Sequence, residues 1–300
     1  MNTILKGHLL ATFTVIVWGL TFISTKILLI DFLPIEILFT RFLLGAIVMY
    51  LFYPKLLGFV GWQKELTFAL AGFFGVTLYF LLENIALTYS LATNVGVIIT
   101  ISPFFTAIIN HFFIKDEKLY LHFFVGFLIS LVGIFLLSKN TDPISFNPFG
   151  DFLAILAALS WSCYSIFIKK ACSYGYKTLE VTRCTFVYGL IFMIPAMFFM
   201  GFELKLERFL QIENSLNILF LGLCASALCF FTWNIAVKSL GVVKSSAYIY
   251  AIPTVTVITA ILILDEKLTL WSFIGILMTL LGLFISESYL KFKLILKKLS

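Results

Sequence analysis

An all-α membrane protein of ten transmembrane helices, laid out as two inverted five-helix repeats, is the fold that three features of this chain predict. The first is composition: 61% of its 300 residues are hydrophobic, 35 are Phe and 12% are charged, whereas a soluble domain carries roughly a quarter charged residues. The second is the recurrence of apolar runs of about 18 or more residues, each long enough to cross roughly 30 Å of hydrocarbon as a helix. The third is an internal repeat. The stretch from Asn84 to Gly133 is written a second time from Asn234 to Gly282, and a repeat has to be found before any fold is assigned.

The repeat is legible residue by residue. Asn84-Ile-Ala is echoed by Asn234-Ile-Ala, and Ser102-Pro103 by Ile252-Pro253. Both runs reach an Asp-Glu-Lys-Leu tetrad, Asp116 to Leu119 and Asp265 to Leu268, followed by Gly126 and Gly133 in one copy and Gly275 and Gly282 in the other. The match continues into earlier spans: Trp18 and Lys26 recur as Trp161 and Lys169, and Arg41 has Arg183 as its counterpart. The boundary falls near residue 145, giving one repeat over 1–145 and a second over 146–300.

Hydropathy places the spans at about 8–30, 35–53, 66–88, 93–114, 119–138, 149–170, 179–200, 215–236, 243–264 and 269–290. Their connections are short, and neither 139–148 nor 201–214 has room for a soluble domain. A single Lys6 precedes the first apolar run, which is too long for a signal-peptide core and is expected to be retained. With the N-terminus in the cytoplasm, fifteen of the 21 Lys and Arg fall on the inner side and six on the outer. The positive-inside rule then puts both termini in the cytoplasm, in a multi-pass protein of the cell (inner) membrane. The net charge of +6 is accounted for by these loops and the C-terminus, and no nucleic-acid partner is implied. Five spans per repeat is an odd number, so the second repeat enters the membrane from the opposite side. Inverted repeats are the design of secondary transporters, with a substrate site near the midplane between the halves.

Candidate site residues follow from polar groups at membrane depth. Lys26, Arg41 and Glu83 all lie roughly 6–9 Å below the outer boundary at 1.5 Å per helical residue. A charge in hydrocarbon costs at least ~2.5–3.5 kcal/mol on insertion scales and therefore pairs or faces a wet cavity. Glu83 is expected to pair with Lys26 or Arg41 beside the pathway; the alternative for the two cations is to snorkel to the interface. Asn84 and its mirror Asn234 either bond across helices or bond substrate. Trp18 and Trp161 line a cavity or pack, and Trp18, Thr21 and Thr25 form a stripe at helical spacing beside Lys26. Pro103 and Pro253 kink spans 4 and 9, either as paired gating helices or as plain bends. Ser102 and Tyr248 are among the polar groups beside the two prolines. The acids of both tetrads, Asp116, Glu117, Asp265 and Glu266, cap the helices they precede or take part in gating. The paired glycines form a helix-packing face, with a homodimer contact as an alternative use. His111 is either a proton relay or an ordinary polar residue.

Several classes are excluded or disfavoured. Cys163, Cys172, Cys184, Cys224 and Cys229 contain no CxxC pair and read as small apolar-run residues. No Walker loop, GxSxG, HExxH or metal-spaced His and carboxylate cluster occurs. The chain is therefore expected to be no enzyme, to bind no cofactor or metal, and to draw no direct drive from ATP.

Taken in order, Trp18-Gly19, Arg41, Asn84-Ile-Ala-Leu, a proline in spans 4 and 9, and Glu-Lys-Leu followed by Gly-x6-Gly in spans 5 and 10 resemble the drug/metabolite transporter superfamily, specifically its EamA-domain exporters. The resemblance covers essentially the whole chain as two EamA domains. It implies an alternating-access carrier of the inner membrane, with spans 1, 3, 4, 6, 8 and 9 around a central cavity and amino acids or related metabolites as exported substrates. A cavity role is carried onto the fourth to sixth residues after Trp18 and onto Glu83-Asn84. One departure matters: the counterpart of Glu83 is Trp233, so any charge-dependent step is confined to the first half. The expected partners are the lipid bilayer and a small-molecule substrate. An importer or exchanger of the same fold, and a non-transporting lipid-modifying enzyme or helical scaffold, are the competing functions.

Overall fold

The computed structural model describes residues 3–55, 57–113, 121–138 and 148–299, which form helices and connecting loops with no strand among them. The helices line up as rods that we number in chain order. They are α1 (Thr3–Leu28), α2 (Pro34–Phe52), α3 (Trp62–Tyr89), α4 (Ala92–Ile99 and Ser102–Phe113) and α5 (Leu121–Ser138), then α6 (Pro148–Cys172), α7 (Thr178–Phe199), α8 (Ile212–Leu240), α9 (Val242–Ser246, Ala247–Ala251 and Ile252–Leu264) and α10 (Leu270–Leu299). Seven of the described helices are long and apolar enough to cross a bilayer, in α1, α2, α3, α4, α6, α7 and α8. Shorter apolar stretches, Phe123–Leu136, Tyr248–Leu264 and Leu270–Gly282, lie in α5, α9 and α10. Large apolar side chains also cover the outside of the bundle; Phe198 and Phe199 are 85% and 84% exposed. A helix apolar on its outer face as well as its inner one suits lipid.

Local chemistry sets the ends. Pro34 opens α2, where its fixed φ suits the first turn and its missing N–H is not needed. The Glu36 carboxylate reaches back to accept the Leu33 N–H at 2.8 Å. Glu180 does the same for Lys177 at the start of α7. Gly241 closes α8 at φ +83°, a left-handed backbone that favours glycine.

Two rods differ from the expected kinks. α4 stops at Ile99, turns through Thr100 and Ile101, and restarts at Ser102 with Pro103 in its first turn. α9 passes through a 3-10 segment and restarts at Ile252 with Pro253 in its first turn. Both prolines thus initiate a new helix instead of bending a continuous one, because a proline placed there sacrifices no helical hydrogen bond. α3 and α8 carry a second mirrored irregularity, π-helical turns at Phe73–Leu78 and Phe220–Leu228.

The halves run in opposite senses. At one end of the bundle His8, near the start of α1, meets Tyr248 at 2.6 Å. At the other end Lys26, near the close of α1, bonds the carbonyls of Leu87 and Ser90, and Ser90 donates to Asp151 at the start of α6 at 2.7 Å. α1 and α6, the first rod of each half, therefore start at opposite ends.

The glycine pairs of α5 and α10 pack on each other. A Cβ at Gly133 would lie 2.6 Å from the Thr279 backbone nitrogen, and one at Gly282 would lie 2.6 Å from that of Ser130. Ser130 donates to the Thr279 carbonyl at 3.0 Å across the same seam. The face read as a homodimer candidate is thus occupied within one chain.

Candidate functional site

Where the breaks of α4 and α9 approach α1, α3 and α6, they enclose a small cavity of about 20 Å³. Trp18, Thr21, Tyr79, Glu83, Ser102 and Trp161 supply its polar and aromatic walls, and Ile99, Ile249 and Ile252 bring the two breaks to it. Such a volume admits about one water, so the rings close on one another here. Trp18 meets Trp161 edge to face at 5.2 Å and Trp233 at 5.1 Å, and Tyr79 meets Trp161 at 5.0 Å. Close approach of the backbone makes this possible: a Cβ on Gly75 would collide with the Tyr164 ring, which itself packs on Trp161 at 4.8 Å.

Polar groups at the centre are incompletely matched. Glu83 is buried with neither carboxylate oxygen hydrogen-bonded; the Tyr79 hydroxyl one turn away interacts with it without reaching hydrogen-bond geometry. Arg41 is fully buried, its Nε donating to Ser226 at 3.0 Å and its guanidinium lying 4.5 Å from the Phe80 ring centroid, while both terminal nitrogens lack partners. The indole N–H groups of Trp161 and Trp233 and the Ser102 hydroxyl also lack partners, whereas Trp18 donates to the Ala225 carbonyl in the π segment of α8 at 3.1 Å. An unsatisfied buried polar group costs about 1–3 kcal/mol. Several together mark a place that gains from a polar ligand or water.

The remaining predicted residues are distributed around this centre. Lys26 does not pair with Glu83: its ammonium is held by the carbonyls of Leu87 at 2.5 Å and Ser90 at 2.8 Å, one turn and more beyond the carboxylate. A short intramolecular reach to free helix-end carbonyls wins over a longer one to the acid. Arg41 lies within Coulombic range of Glu83 without a direct contact. Arg183, its counterpart, instead donates to the carbonyls of Tyr53 and Lys55 at the end of α2. Asn84 donates to the Pro34 carbonyl at 3.1 Å, and Asn234 accepts from Tyr164 at 3.0 Å and donates to Thr182 at 2.8 Å; both bridge helices. Thr25 is buried off the cavity, and Tyr248 is engaged by His8.

Glu266 departs from the capping expected of it. Its carboxylate accepts the N–H groups of Ala92 at 2.8 Å and Thr93 at 3.1 Å, so it caps α4, not α10. Asp265 ends α9 in the left-handed region. Asp116, Glu117 and the 145/146 boundary lie outside the described residues. Sequence reasoning missed Tyr79, although its spacing of four from Glu83 puts both on one helix face. It also missed Glu36, which is buried against Arg208 at 2.6 Å and accepts the Glu203 N–H at 3.0 Å.

Comparison with known proteins agrees with this architecture. The model of the EamA-like transporter family matches twice, over residues 5–139 and 148–287. An "Uncharacterized transporter" of Archaeoglobus fulgidus is 29% identical, with 94% of this chain and 98% of that protein covered. A "Probable amino-acid metabolite efflux pump" of Escherichia coli strain K12 is 24% identical over 96% of this chain and 97% of its own length. A solved crystal structure is similar at TM-score 0.68 and 16% identity, covering 94% of this chain and 97% of that one; at that identity the likeness speaks for the fold alone. The two family matches span nearly the whole sequence, and the chain belongs to the EamA-like transporter family.

Proposed function

We propose that this protein is a secondary-active carrier of the cell membrane that exports amino acids or related small metabolites by alternating access. The observation that carries the reading is the meeting of two broken helices, α4 and α9, at a cavity that holds the unpartnered Glu83. Discontinuous helices in corresponding positions of two inverted halves border the substrate site in many secondary transporters. On this reading all ten rods cross the bilayer as repeats over 1–145 and 146–300, and both termini are cytoplasmic. The efflux-pump name of the E. coli relative supports export and an amino-acid-like cargo. Trp18, Thr21, Glu83 and Trp161 contact the cargo; Asn84, Asn234, Arg41 and Trp233 shape the shell behind them; Pro103 and Pro253 fix the hinge points of the two broken helices.

The end of the bundle bearing Ser90 is the outer one on this assignment. There Lys26, Ser90, Asp151 and Glu266 bind α1, α3, α4, α6 and the α9–α10 connection together. This network is the outer gate that must part for release. Efflux and counterflow in proteoliposomes, with labelled amino acids and organic acids and with or without a pH gradient, test the reading. Saturable counterflow of any member supports a carrier. Folded protein that moves nothing across a broad panel contradicts it.

A further inference from the structure

We propose that the central cavity recognises its cargo through a positively charged amine, held by the Glu83 carboxylate and by the π faces of the surrounding rings. This rests on the carrier reading and narrows its substrate class: free amines and the ammonium end of amino acids are taken, and compounds without a cationic nitrogen are not.

Charge decides the class. Among the described residues, the cavity wall contains one carboxylate and no Lys, Arg or His. Neither oxygen of that carboxylate is hydrogen-bonded, and the residue is 1% exposed. A buried charge without a direct partner is strongly disfavoured, and Arg41 and the Tyr79 hydroxyl act on Glu83 without a direct hydrogen bond to it. Lys26 is tied to two backbone carbonyls. Arg41, 4.5 Å from the ring of the wall residue Phe80, gives its Nε to Ser226, keeps two unpartnered terminal nitrogens and does not line the cavity. An incoming ammonium supplies what the wall lacks, whereas an anionic group alone meets repulsion from Glu83.

Ring geometry points the same way. Trp18 and Trp161 are perpendicular at 89°, and Tyr79 is inclined at 53° to Trp161. Mutually inclined rings leave π faces and edges turned in different directions around one point instead of forming a closed stack. A cation within about 6 Å of such faces is attracted by the ring quadrupole, most strongly when desolvated, with Trp the best partner. The unpartnered Ser102 hydroxyl, also lining the cavity, adds a hydrogen-bond acceptor for an N–H. The cavity admits about one water, so the rings must swing apart to take the amine, which makes their fluorescence a reporter of binding.

The test uses the full chain in nanodiscs. Tryptophan fluorescence and thermal melting are followed with ethanolamine, putrescine, phenethylamine and phenylalanine, and with N-acetylphenylalanine and 3-phenylpropionate as analogues without a free ammonium. The expected result is saturable, millimolar or tighter binding by at least one amine, no response to the two analogues, and at least a tenfold weaker amine response in Glu83→Gln. If that variant does not fold, Glu83→Asp keeps the charge and is expected to bind more weakly with the same preference for amines. Analogue binding equal to that of the amines, undiminished amine binding in Glu83→Gln, loss of the amine preference in Glu83→Asp, or silence with every amine overturns the proposal. Counterflow of the same compounds separates the two claims. Amine binding without flux sinks the carrier and leaves the amine site, and flux confined to compounds without an amine does the reverse.

Discussion

Glu266 and Ala92 are joined across the two halves of the chain: the carboxylate of one accepts the backbone N–H of the other at 2.8 Å, and its second oxygen takes Thr93 at 3.1 Å. One acid thereby satisfies two of the four orphan donors at the start of α4, and its negative charge meets the positive end of that helix. Glu266→Ala is expected to cost about 1–3 kcal/mol locally and to raise hydrogen–deuterium exchange in the peptide spanning Ala92–Ile99. Lys267→Ala, at an exposed neighbour, serves as the control and should leave that exchange unchanged. Equal protection in both variants would remove Glu266 from the gate.

Gly133 and Gly282 hold α5 and α10 at backbone contact. Gly133→Leu forces the rods apart and is expected to lower stability by about 1–3 kcal/mol or more, the usual cost of overpacking. A melting curve followed by fluorescence-detected size exclusion reads this directly. A wild-type melting point in Gly133→Leu would mean that the seam is not closed in the membrane.

Glu36 and Glu203 offer a contrast in burial. The Glu36 side chain is 2% exposed and accepts from Leu33, Glu203 and Arg208, the last 22% exposed; Glu36→Ala leaves those donors unmatched and should cost about 1–3 kcal/mol. The Lys205–Glu203 pair is 59% and 63% exposed, and solvent screens it. Glu203→Ala should therefore melt like the parent protein, and the difference between the two curves is the measurement.

Asn234 has hydrogen bonds to both Tyr164 and Thr182, whereas Asn84 has one, to Pro34. Asn234→Ala is expected to destabilise more than Asn84→Ala, by about 1 kcal/mol, the scale of an interhelical bond in a membrane. Equal or reversed melting shifts would overturn the reading of Asn234 as the stronger bridge.

Much of this arrangement was legible in residue order. The duplicated Asn-Ile-Ala, proline and glycine positions, with an odd number of apolar runs per copy, announced the inversion that His8, Lys26 and Asp151 display at the two ends of the bundle. Trp18 and Trp161 matched in sequence and met in space because each stands on the first rod of its half. The prolines marked the right places but suggested bends, since sequence alone does not say whether the preceding turn stays hydrogen-bonded. The π turns at Phe73–Leu78 and Phe220–Leu228 left no compositional mark, although Tyr164 of α6 packs closely on Gly75 within the first. Of the two cations offered to Glu83, Lys26 is held instead by the carbonyls of Leu87 and Ser90, backbone atoms that no sequence pattern reveals. Glu36 drew no reading from the sequence, because two of its partners, Glu203 and Arg208, lie far along the chain in the α7–α8 connection.

Cargo is proposed to bind beside Glu83, between the two broken helices. Counterflow in proteoliposomes, comparing the parent protein with Glu83→Gln at matched insertion and melting behaviour, tests it most directly. We expect robust exchange of an amine-bearing metabolite by the parent and a loss of at least tenfold in the variant, equivalent to about 1.4 kcal/mol. Exchange that persists undiminished in Glu83→Gln would contradict the assignment and move the site away from this cavity.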